Sequence, residues 1–123
     1  MNHLENFNII ERELGFLYPG DFKLRLDELI NLISSEAFSN FMPNGKLLSS
    51  IADVKIAYQE NLPPYYLPFL LDQQQNDFTY YYVFEKIRNE KEIKVYVFGD
   101  HAIVMGWVDL NAFFEWLYEN AQA

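Results

Sequence analysis

The segment Phe78-Thr79-Tyr80-Tyr81-Tyr82-Val83-Phe84 is the feature that most constrains this chain. In an extended strand successive side chains point to opposite faces, so Phe78, Tyr80, Tyr82 and Phe84 share one pleat face and Thr79, Tyr81 and Val83 the other. Both faces carry large apolar groups, and both need cover from helices or from a partner. Upstream, Pro68-Phe69-Leu70-Leu71 is a second apolar run, and the polar stretch from Asp72 to Asp77 between them reads as the turn of a central β-hairpin.

At 123 residues, half of them hydrophobic and 18% aromatic, the chain is expected to be a single domain with one core. It contains no cysteine, which removes disulfides and thiolate metal sites and accords with a reducing cytosol. No segment approaches about 18 consecutive apolar residues, and Met1-Asn2-His3-Leu4-Glu5 has no basic region leading into an apolar stretch. The expectation is a soluble cytoplasmic protein without a cleaved signal. A net charge of −9 argues against binding nucleic acid, because counterion release needs clustered Lys and Arg. The excess acid keeps an aromatic-rich domain in solution and leaves basic protein surfaces open as partners.

The order of elements follows from periodicity and punctuation. Leu4, Phe7, Ile10 and Leu14 lay one stripe along a helix over residues 3 to 14, which Gly15 can end. Pro19 and Asp21 suit the start of a second helix whose face holds Phe22, Leu26, Leu29, Ile30 and Ile33, and whose end falls between Ser34 and Asn40. Leu47-Leu48 reads as a short strand. Ser50 followed by Asp53 resembles a capping box opening a helix over 51 to 60, although 54 to 58 also alternates like a strand. Strands are expected at 67 to 71, 78 to 85, 93 to 98 and 102 to 107, and the basic stretch from Lys86 to Glu92 as a solvated hairpin end. Asp109 or Asn111 caps a last helix striped by Leu110, Phe113, Phe114 and Leu117, with Trp116 at its border.

Chemistry-bearing patterns are sparse. His101 is the one histidine away from the N-terminus, so a hydrolytic triad has little to draw on, and no Gly-x-Ser-x-Gly, phosphate-cradling loop or His-Glu-x-x-His is present. Asp72 and Asp77 could form a carboxylate pair, but aspartates at a turn serve the nearby backbone amides. His101 beside Asp100 reads as a strand-entry turn. The chain is therefore expected not to be an enzyme and to need no cofactor or metal.

Three blocks carry a family resemblance. The first runs from Ile10-Glu11-Arg12-Glu13-Leu14-Gly15 through Tyr18-Pro19-Gly20-Asp21-Phe22, the second from Leu67-Pro68-Phe69-Leu70-Leu71-Asp72 through Asn76-Asp77-Phe78, and the third joins Val95-Tyr96-Val97-Phe98-Gly99-Asp100-His101 to Phe113-Phe114-Glu115-Trp116-Leu117. In that order they resemble the SUKH superfamily, which includes yeast cell-wall-assembly regulators and many bacterial toxin-immunity proteins. Tyr18 stands where the family has Leu, Asn76 where it has Gly, and its Asn-Gly-Gly after the second helix has no match at Asn31-Leu32-Ile33-Ser34.

The resemblance implies an α+β fold, with a mostly antiparallel sheet of about four to six strands, helices packed on one side, an N-terminal helix pair and a C-terminal helix. It also implies a non-enzymatic protein-binding role, foremost as an immunity protein that neutralises a toxin with a basic surface. The alternatives are a regulatory or scaffold domain with a cellular protein partner, and a small-ligand-binding domain. For the partner contact the expected residues are Asp72, Asp77, Glu85 and Asp100 as acids, with Tyr80, Tyr82, Tyr96 and His101 beside them.

Overall fold

The computed structural model describes residues 3–73 and 78–121, and the fold is α+β. In chain order the elements are α1 (His3–Leu14), α2 (Gly20–Leu24), α3 (Leu26–Ile33), α4 (Glu36–Phe41), β1 (Gly45–Leu47), α5 (Ile51–Gln59), β2 (Tyr66–Gln73), β3 (Thr79–Glu85), β4 (Val95–Gly99), β5 (Ala102–Trp107) and α6 (Leu110–Ala121). The five strands form one open sheet in the order β1-β2-β3-β4-β5, every neighbouring pair antiparallel. Helices pack against one side of it. No helix of the described residues is long and apolar enough to cross a membrane.

Local chemistry accounts for most boundaries. Gly15 takes φ 74° and donates its N–H to the Glu11 carbonyl at 2.8 Å, the left-handed closure that ends α1. The Ser50 hydroxyl accepts the Asp53 N–H and opens α5, which settles 51 to 60 as helix. Of the two candidates before α6, Asp109 is the cap, accepting the Ala112 N–H at 2.7 Å. The expected second helix is instead three. Arg25 leaves the α region only slightly, but Ser35 is extended, with ψ 152°, and its hydroxyl accepts the Phe38 N–H, ending one helix and capping the next.

The core lies between the helices and the pleat face of β3 that carries Tyr82 and Phe84. Phe84 stacks on Phe69 at 4.6 Å and meets Phe22 at 5.1 Å, while Phe7 and Tyr18 close on Phe22 from α1 and its loop. Tyr82 sits among Trp107, Phe113 and Trp116. The opposite pleat carries Tyr81 and Val83, paired across the sheet with Phe98 and Tyr96, and Tyr66 adds a ring 6.1 Å from Phe98 and 6.3 Å from Tyr96. Tyr81, Val83 and Phe98 are buried, with Tyr66 and Tyr96 half-buried around them.

The β1 side of the sheet is closed by tyrosines. β1 pairs with Leu70–Asp72, so on that side the first half of β2, which pairs with β3 on the other, has no strand beside it. The Tyr66 carbonyl there accepts the Tyr58 hydroxyl at 2.6 Å, and the Pro68 carbonyl accepts the Tyr18 hydroxyl at 2.8 Å. Pro68 fits this edge because it has no N–H to leave unsatisfied. Just past α5, Glu60 accepts the hydroxyl of Tyr81.

Burial pushes the hydroxyls of Tyr18, Tyr58, Tyr81 and Tyr82 well above the ordinary tyrosine value, with Glu60 adding to the effect at Tyr81 and Asp72 at Tyr82. A folded state that holds phenols protonated contributes stability in full below about pH 10 and loses it as pH climbs through the higher folded values, because the unfolded chain releases those protons first. The unfolding free energy, measured by urea titration between about pH 9 and pH 11.5, is therefore expected to fall steadily with pH. A flat profile would contradict the tyrosine account.

Candidate functional site

The residues expected to meet a partner are divided by the sheet. Tyr82 is 6% exposed and belongs to the helix-side aromatic cluster, so it packs the core and is not a landing surface. Asp72 lies on the same side, across from Gly45 and Tyr80, and is 9% exposed. Asp77 is outside the described residues. Tyr80 is half-buried with its ring over Gly99, where an added Cβ would come within 2.1 Å of the ring, so position 99 has room for no side chain while Tyr80 lies there.

Tyr96 and Glu85 are on the opposite pleat, and burial, with the nearby Glu85 charge adding to it, pushes the Tyr96 hydroxyl up. Glu85 is half-buried at the end of β3. Asp100 and His101 are exposed at the β4–β5 turn. Two residues connect the paired Gly99 and Ala102, and both have positive φ, 49° at Asp100 and 67° at His101, as a tight hairpin turn with the right-handed strand twist requires. Neither is glycine, so each holds a conformation that side chains disfavour.

Asp100 and His101 border a depression of about 310 Å³ at this end of the sheet, lined also by Glu60, Phe78, Tyr81 and Phe98. Asn61, a third positive-φ residue at 77°, lines it too. The lining combines the rings of Phe78, Tyr81 and Phe98 with the carboxylates of Glu60 and Asp100, which suits contact with a cation-bearing surface. No cluster of three or more His, Asp or Glu among the described residues could hold a metal ion.

The surface that residue patterns missed is β5. Ile103, Val104 and Met105 are 40%, 54% and 43% exposed, and Val108 just beyond is 75% exposed. Ala102 to Val108 contains no charged residue. This strand is the free edge of the sheet, and on the helix side only Trp107 turns inward, 4.7 Å from Trp116. The signal was present in the sequence: Ala102-Ile103-Val104-Met105 has no polar residue on either pleat, and consecutive short hairpins place the last strand outermost.

The basic loop is another departure. Arg88 is not solvated: its side chain is 7% exposed and donates to the carbonyls of Glu85 and Leu17, tying the β3–β4 connection to the α1–α2 loop. Lys86 lies over the rings of Phe16 and Tyr58 at 4.9 and 4.8 Å. Comparison with protein-family models, with curated proteins and with solved structures finds no match.

Proposed function

We propose that this chain is a SUKH-type protein-binding domain acting in the cytoplasm as an immunity protein, which neutralises a toxin by stoichiometric occlusion. The observation that carries the reading is the exposed apolar edge of β5 on a chain of net charge −9. Monomeric soluble proteins seldom leave such a strip uncovered without a use for it. Acidic groups at the neighbouring turn, Asp100 foremost, speed the approach of a basic partner, and the apolar strip supplies contact once water is expelled. The helix, five-strand and closing-helix order accords with the architecture that the SUKH resemblance implies.

The test starts at the adjacent gene, which on this reading encodes a large multidomain protein with a C-terminal toxin domain, and proceeds by co-expression with that domain. Cells poisoned by that domain are expected to grow when this chain is supplied at equal or higher level. Continued killing with this chain folded and abundant would discard the immunity reading.

A further inference from the structure

The two edges of the sheet are treated in opposite ways. On the β1 side the outermost strand is three residues long and carries Lys46, and the uncovered part of β2 has its carbonyls taken by Tyr58 and Tyr18. Both are devices that stop another strand from adding. β5 is six residues long, holds no lysine and no proline, and is exposed from Ala102 through Gly106. Its one blunting device is a bulge at Val104, where the register with β4 shifts between Val97 and Phe98.

From the β4–β5 turn outward, the pairing alternates. Gly99 and Ala102 flank a two-residue turn and form the hydrogen-bonded pair, so the next pair, Phe98 and Ile103, turns the Ile103 N–H and C=O away from the sheet. Beyond the bulge the ladder is regular again, with Met105, Gly106 and Trp107 opposite Val97, Tyr96 and Val95. Apolar side chains stand on both sides of this edge, Ile103 on the pleat of Phe98 and Met105 on that of Val97. The charges that bracket it are acidic, Asp100 at the turn and Asp109 after the strand, while Lys94 stands one strand in, before Val95.

We infer that β5 is a strand-addition site whose occupant is an extended segment of a basic partner protein, apolar at its centre and flanked by Lys or Arg. This rests on the protein-binding reading above and specifies how the contact is made: main-chain hydrogen bonds along β5 give affinity, Ile103, Val104 and Met105 pack against alternate side chains, and Asp100 and Asp109 select basic ends. A second copy of this chain is the wrong occupant. Antiparallel self-pairing of β5 brings Asp100 of one copy toward Asp109 of the other, between two bodies each of net charge −9.

The probe is a synthetic peptide of alternating valine and threonine with two lysines at each end, beside the same peptide ended in glutamates. Binding is read from Trp107-centred fluorescence and from amide exchange at 102 to 107. The lysine-ended peptide is expected to bind saturably, to slow exchange at Ile103 and Gly106, whose N–H groups face away from β4, and to bind at least about tenfold tighter than the glutamate-ended one. V104K exchanges an exposed side chain for a charge, keeps the wild-type melting profile, and weakens the peptide by about tenfold or more. No binding, protection elsewhere, or equal binding of both peptides would overturn the inference, as would a wild-type dimer in sedimentation that V104K dissolves. If wild type and V104K rescue cells equally from the toxin that the immunity reading expects in the adjacent gene, the edge-strand inference falls and the immunity reading stands; if wild type fails to rescue, the immunity reading falls whatever the peptide does.

Discussion

Phe84→Ala is expected to cost about 3–5 kcal/mol of folding stability, a large part of the ~5–15 kcal/mol that a domain has. Phe84 is fully buried at the junction of three elements: it stacks on Phe69 of β2, meets Phe22 of α2 at 5.1 Å, and approaches Tyr18 of the α1–α2 loop edge-on at 6.5 Å. Alanine loses the transfer energy of the ring and leaves a cavity, because close-packed aromatic neighbours anchored on separate elements collapse only partly. Urea unfolding should show a lower midpoint at unchanged slope, and melting should fall by roughly 10–20 °C. A loss under about 1 kcal/mol would mean that the helix layer is not held on the sheet through this ring.

The second large effect comes from a buried acid. Glu11, on the last turns of α1, has a side chain 6% exposed; Oε2 accepts the Tyr18 N–H at 2.7 Å and Oε1 accepts Lys23 Nζ at 2.8 Å. One carboxylate thereby ties the loop after Gly15 to α2. Glu11→Ala leaves a buried N–H without an acceptor and Lys23 without its counter-charge, at an expected cost of about 2–4 kcal/mol. Lys23 keeps a quarter of its side chain in water, so the ion pair contributes the smaller share and the N–H the larger. Glu11→Gln keeps an acceptor and should cost only about 1 kcal/mol. Equal losses for the two variants, measured by urea titration, would show that charge and not the loop amide dominates.

The same residues mark what could be read before any coordinates. Gly15, Ser50 and Asp109 act through their own backbone neighbourhood, and those boundaries were legible to within a residue or two. The apolar runs and the turn between them marked β2 and β3 as a hairpin, while the antiparallel sheet was an expectation of the family resemblance, and the structure has both. The breaks in the second helix were hidden because its apolar stripe runs on through Ser35. Pleat parity separated Tyr82 from Tyr81 but could not say which side the helices cover, and that choice turned Tyr82 from surface to core. Asp72 was misjudged for a related reason, since β2 runs on to Gln73 and carries the acid into the sheet in place of a turn. Arg88 looked solvated because a long cation can reach distant carbonyls, here that of Leu17, which sequence spacing does not reveal.

The central proposal is that this chain works by binding and not by chemistry, and calorimetric titration against the toxin domain that the proposal expects an adjacent gene to encode tests it most directly. The account predicts a saturable complex of one chain per toxin domain, an on-rate that falls as salt is added, and a toxin of unchanged mass that regains activity when the complex is dissociated. Inactivation by far less than one equivalent, or a toxin recovered with altered mass, would contradict it.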